Sequence, residues 1–247
     1  MVGGPGGELT TMATTTTAVA RTRADDIFFP AMALLALVIV VDAFGPAYFF
    51  AGMIRAKLPS PLVHVHAAIL TTWIAIQAFQ PIQVAANRVD WHQRVGVAGM
   101  FVAAAVPIIG ILAAIGEVRR SPFGNEDLAT DLAFAVAAVV DFAVLAFLGL
   151  QERRKDLFAH KRLMLLATIS ILGPAIGRLA FVTGPTIYYA VFALLLALVI
   201  TFDLATRRKV HRATVLGTIV IVSSQGVAEL FWRTAAAAEL VARIQHA

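Results

Sequence analysis

Ionisable side chains are costly inside a lipid bilayer, and this chain sets several of them within otherwise apolar runs. The run Leu62–Ala86 carries His64, His66, Trp73, Gln77, Gln80 and Gln83. His66, Trp73, Gln77 and Gln80 follow steps of seven, four and three residues, which share one face of a helix. A second stripe of this kind, Thr214, Thr218, Gln225, Glu229 and Trp232, lies near the C-terminus. Asp42, Asp141 and Arg178 stand in three further runs. Each such ionisable group costs about 2.5–3.5 kcal/mol at the centre of a span, so each needs a partner or a purpose. The expectation is an outward-facing polar cavity that binds a small molecule or ion. Its residues would be Asp42, His66, Trp73, Gln77, Arg178, Gln225 and Glu229, with Arg178 paired to Glu229, Glu117 or Asp131. The plainer account is that Gln and Thr only link helices, at ~0.6 kcal/mol per bond, and that an ion pair only fixes helix register.

Three further histidines recur in a signature. Trp91-His92-Gln93-Arg94, Ala159-His160-Lys161-Arg162 and Val210-His211-Arg212 each place a His and an Arg just before an apolar run. Interfacial anchors that satisfy the positive-inside rule would look like this. So would imidazole ligands to a haem iron. The spacings of 68 and then 51 residues are too uneven for a strict repeat array. His64 and His66 diverge by ~160° on a helix and make a poor metal pair. The absence of cysteine excludes disulfides, thiolate ligands and cysteine-held iron–sulfur clusters.

The elements that must position these residues follow from composition. The 247 residues are 60% hydrophobic and 14% charged, with a net charge of +5 and a mean hydropathy of +0.82. Soluble domains run at about 45–50% apolar and about 25% charged, so this is an integral membrane protein. Seven apolar segments are predicted, near Ile27–Ile54, Leu62–Ala86, Val95–Gly116, Leu128–Leu150, Leu163–Val182, Thr186–Leu204 and Val215–Phe231. Short connections make neighbours antiparallel, giving an all-α bundle of seven transmembrane helices: a leading helix, then three hairpins carrying the His-Arg signature. Residues 1–26 read as a disordered cytoplasmic tail, 27–233 as the membrane domain and 234–247 as a short C-terminal tail. Lys and Arg at 21–23, 88–94, 153–162 and 207–212 number thirteen, against seven on the other side. That bias puts the N-terminus in the cytoplasm and the C-terminus outside, and it explains the positive charge without nucleic acid. Pro46, Pro81, Pro107 and Pro174 fall inside predicted spans, where each frees a backbone carbonyl and kinks its helix. Gly173-Pro174-Ala175-Ile176-Gly177 has the small-xxx-small spacing of close helix crossings.

No lysine lies inside the last predicted span, which excludes a retinal protein. There is no phosphate-binding glycine loop, nucleophile elbow or metalloprotease His pair. The run His64-x-His66-Ala67-Ala68, with Trp73, Gln77, Ala85-Ala86, Arg88 and His92-x-Arg94-x-Gly96, resembles a family of bacterial multi-pass membrane proteins of unknown function. His160-Lys161-Arg162-Leu163-Met164 is similar to a second stretch of that family. The resemblance covers about half the chain and implies the bacterial inner membrane. A looser likeness is to membrane b-type cytochromes, in which histidines of two helices hold haem iron. On that likeness His92, His160 and His211 are the alternative haem b ligands, although they lie at helix starts and not within facing helices. Three classes of function follow. One is a carrier or receptor built on the polar cavity. Another is a redox protein holding haem or quinone. The third is an accessory or assembly subunit that partners other membrane proteins.

Overall fold

The computed structural model describes residues 22–122 and 127–246. Among these the chain is all-helical, and its caps follow from the sequence. Helix α1 (Arg23–Phe44) starts at a capping box in which Thr22 and Asp25 satisfy each other's backbone N–H groups. It continues into a π-turn, Gly45–Phe49, with Pro46 at its start, and a short 3-10 turn, Met53–Arg55, follows. Ser60 caps α2 (Pro61–Ala85), which runs through Pro81. Then come α3 (Val89–Arg120), with Pro107 inside it, and α4 (Asp127–Glu152). Asp156 caps α5 (Leu157–Ser170), which is followed by the single turn α6 (Gly173–Ile176). Helices α7 (Pro185–Arg207), α8 (Arg212–Phe231) and α9 (Ala235–His246) complete the described chain.

Among the described residues six helices are long and apolar enough to cross a membrane: α1 with its π-turn, α2, α3, α4, α7 and α8. The segment expected as a seventh continuous span, Leu163–Val182, is broken. Its helix stops at Ser170, because Pro174 has no N–H to offer the Ser170 carbonyl. Gly173 is needed at the break, since a Cβ there would lie 2.7 Å from the Tyr188 hydroxyl of α7. The remaining α5 is only ~21 Å long at ~1.5 Å per residue. Nine of its fourteen residues are nonetheless buried. A helix covered on all sides is the centre of its bundle, and Leu166, Ile169 and Leu172 pack there with Trp73, Phe142, Leu145, Val199 and Ile221.

The two early hairpins are closely packed, α2 against α3 and α4 against α5, whereas α8 turns from α7 and packs on α4 and α5. Helices α1, α3, α5 and α8 begin at one end of the bundle, where α2, α4 and α7 finish; Lys161–Asp25, Arg162–Asp203 and Arg212–Asp156 contacts tie that end together. The expected disordered tail, 1–26, lies outside the described residues as far as 21, and its last residues cap and start α1. The expected C-terminal tail, 234–247, carries α9, whose Ala237 and Val241 are buried, Val241 in a cluster with Val118, Leu128 and Leu132 at the opposite end.

Candidate functional site

The end where α5 begins holds most of the buried charge. Arg162 and Asp203 are fully buried, and the guanidinium gives Asp203 an Nε–H bond at 2.9 Å and a second, shorter bond from the same group. The other carboxylate oxygen accepts from the Thr214 hydroxyl at 2.6 Å and the His211 backbone N–H at 3.0 Å. Arg162 also donates to the Phe158 carbonyl at 3.0 Å. One satisfied ion pair thus clamps α5, α7 and the start of α8, as buried pairs require. Beside it, Asp25 receives Lys161 at 2.7 Å, with Arg207 at 3.8 Å. The Lys161 ammonium lies over the Phe29 and Phe158 rings at 4.7 and 4.6 Å, and the Arg207 guanidinium over Phe158 at 4.0 Å.

Asp156 accepts the N–H groups of Phe158 and Ala159 at 3.0 and 2.9 Å and meets Arg212 at 3.1 Å. Partial burial pushes its carboxyl up, but those donors, with His211 and Arg212, outweigh it and hold the group below the usual carboxylate range. His211 uses Nδ1 to cap α8, accepting from the Ala213 N–H at 3.2 Å, so its proton sits on Nε2, which faces Asp156 at 3.7 Å. Burial, reinforced by the Arg162 charge, lowers the affinity of His211 for a second proton, against the opposing pull of Asp156 and Asp203.

The same end holds two imidazoles side by side. His160 on α5 and His92 on α3 have ring centroids 6.4 Å apart with planes at 79°, although α3 and α5 are not themselves a closely packed pair. The Nδ1 atom of His160 lies 2.7 Å from the Gly149 carbonyl. A carbonyl only accepts, so Nδ1 carries the proton and Nε2 keeps a lone pair. Gly149 permits this approach, since a Cβ there would lie 2.9 Å from the Met164 sulfur and 3.3 Å from the Leu163 Cβ. The His92 ring lies close to the backbone of Gln80 on α2, and its Nδ1 is buried without a hydrogen-bond partner. The His160 imidazole therefore gives its Nδ1 proton to a backbone carbonyl, while the Nδ1 of His92 has no partner. Metal-ligating histidines are held in this way by their surroundings. His211 does not belong to the pair, its nitrogens being engaged with Ala213 and Asp156.

The residues expected around an outward cavity do not gather round one space. Asp42 is exposed on the surface of α1. Trp73 is buried in the core, donating its Nε1–H to the Thr168 hydroxyl at 3.3 Å and meeting the Phe142 ring edge-on at 4.9 Å. Gln77 and Gln225 are half-buried. Glu229 is bound to Arg233 and receives the Trp232 Nε1–H at 3.1 Å. Glu117 pairs with Arg120. Arg178 is exposed, donates to the Pro174 carbonyl at 2.8 Å and lies over the Phe44 ring at 5.0 Å. Within the expected set, His66 feels the Arg178 charge, and the His66 Nδ1 is buried without a partner.

Four contributors went unread in the sequence: Asp203, Asp156, Gly149 and the Gln80 backbone. Asp203 had a visible signal, an acid inside an apolar run at the depth of Arg162 on the next hairpin. Gly149 and the Gln80 backbone had none, because a backbone group leaves no mark in a side-chain pattern. No protein-family model matches the chain, and no curated protein or solved structure is similar to it.

Proposed function

We propose that this chain is a bacterial inner-membrane redox protein that holds a haem iron between His92 and His160. The observation that carries this reading is the side-by-side pair itself, in which the Gly149 carbonyl takes the Nδ1 proton of His160 and the Nδ1 of His92 is buried without a hydrogen-bond partner. His92 and His160, with ring centroids 6.4 Å apart, are the residues that would hold the iron. The ligand set, two neutral imidazoles and no cysteine, also fits haem b.

Bound haem would supply one-electron chemistry. The residues of the chain orient and tune it. The Gly149 carbonyl fixes the His160 tautomer and raises the donor strength of that ring. The Arg162–Asp203 clamp sets the position of the α5 start, and with it His160. The apolar core around Leu163, Leu166 and Trp73 keeps water from the interior side.

In this reading the chain crosses the membrane seven times, the broken α5–α6 segment included. Helix α7 ends beside the start of α5, so the intervening segment 157–184 has to reach the opposite end. The excess of Lys and Arg at the histidine end makes it cytoplasmic. Purification from cells supplied with a haem precursor tests the function. A Soret band in the visible spectrum, lost in His92→Ala and in His160→Ala, is the expected result. A colourless wild-type protein, correctly folded, refutes it.

A further inference from the structure

Asp141 is buried to 1% exposure in the middle of α4, fourteen residues from Asp127 and eleven from Glu152. Its described hydrogen-bond partner is the Ser224 hydroxyl of α8, in a short contact to Oδ2. The same hydroxyl lies 2.9 Å from the Ile221 carbonyl one turn back. A hydroxyl has one hydrogen, and a carbonyl can only accept. If Ser224 donates to Ile221, the hydrogen between Ser224 and Asp141 belongs to the carboxyl. Acid to hydroxyl to carbonyl is then a complete chain with every donor used. If Ser224 turned its hydrogen to Asp141 instead, a full negative charge would have one neutral donor.

The protein shows what a buried carboxylate requires. Asp203, equally buried, has two guanidinium N–H groups, a hydroxyl and a backbone N–H. Among the described residues Asp141 has no cation partner. At its level α5 presents Ser170, which bonds the Ala138 carbonyl, and Thr168, bonded to Trp73; α3 presents Gly110 against Val139; and α8 presents Ile221 and Ser224. On α9, Glu239 and Arg243 are exposed and paired with each other. No charged group among the described residues acts on Asp141.

We infer that Asp141 is held as a neutral carboxylic acid, a proton-binding site at the midplane of the membrane. Intramembrane acids without a counter-cation are used as proton relays in pumps and transporters. Ser224 opens the site to the lipid phase, because it also lines an apolar groove of about 500 Å³ between α3, α4, α8 and α9, walled by Val136, Val140, Val227 and Phe231. The inference stands on α4 and α8 and does not depend on the histidine pair.

An apolar carbodiimide tests it on the intact protein in lipid. The acid adds across one C=N bond: its proton goes to nitrogen and its oxygen to the central carbon, giving an O-acylisourea. Migration of the acyl group to nitrogen then gives a stable N-acylurea, with no oxidant or leaving group. Dicyclohexylcarbodiimide at neutral pH should mark Asp141 in peptide mass spectra, and Asp141→Asn should lose the mark while melting within a few degrees of wild type, its amide serving Ser224 in place of the acid. The infrared difference spectrum, wild type minus Asp141→Asn, decides whether or not the reagent enters. A protonated-carboxyl C=O band at neutral pH is expected. Carboxylate bands alone overturn the inference.

Discussion

Asp203→Ala is the substitution that probes the histidine end most sharply. It leaves the fully buried Arg162 guanidinium with only the Phe158 carbonyl, and it strands the Thr214 hydroxyl and the His211 N–H. Breaking a buried pair by removing one partner costs about 3–5 kcal/mol, and stranding a buried donor costs about 1–3 kcal/mol. These terms overlap, so we take ~3 kcal/mol as the floor of the expected loss. The double variant Arg162→Met/Asp203→Leu removes both charges and should recover most of it, since apolar replacement of a buried pair is neutral or stabilising by about 1–4 kcal/mol. Reversible unfolding in mixed micelles, followed by helix content against denaturing detergent, gives both numbers. A loss below ~1 kcal/mol for Asp203→Ala, or a double variant no better than the single, would refute the clamp.

Three further outcomes follow from the same geometry. Gly149→Ala should cost about 1–3 kcal/mol by overpacking against Met164 and Leu163, and should lower haem content in purified protein by moving the carbonyl that His160 uses; equal haem content would separate the two. His211 is depressed in the folded protein, so the unfolded chain binds more protons around its ordinary value of 6.5. Its contribution is present above that value and lost as pH falls toward the folded value. His211→Asn, which keeps a capping side chain, should make that part of the melting-temperature profile less steep than in wild type, while the acid-side loss from Asp156, whose stability is present above the usual carboxylate range and fades below it, remains. The cysteine-free background allows single-site labelling: Pro122→Cys should react with an impermeant maleimide in intact cells, and Arg208→Cys only after lysis.

Much of the fold was legible because burial in lipid leaves a coarse signal: a long apolar run is a helix whether it faces lipid or protein. The break at Ser170 was half legible. Pro174 was visible, but a kink and an interruption look alike until the close approach of Tyr188 to Gly173 is known. Polar stripes were read as though both ends of a side chain's fate were set by periodicity. Trp73 did turn inward, yet Asp42 is exposed on α1 and Glu229 is held by Arg233 on α8. The His-Arg signatures carried more than their spacing disclosed. His160 and His92 meet where α4 turns a backbone carbonyl toward His160 and the Gln80 backbone of α2 lies close to His92, and His211, with the same flanking pattern, is consumed as a cap.

Electron paramagnetic resonance of the oxidised protein, purified with its haem, tests the paired-histidine site most directly. A low-spin ferric signal of bis-imidazole type is expected, lost or converted to high spin in His92→Ala and in His160→Ala, and unchanged in His211→Asn. A low-spin signal that survives both single substitutions, or no iron signal from folded wild-type protein, would contradict it.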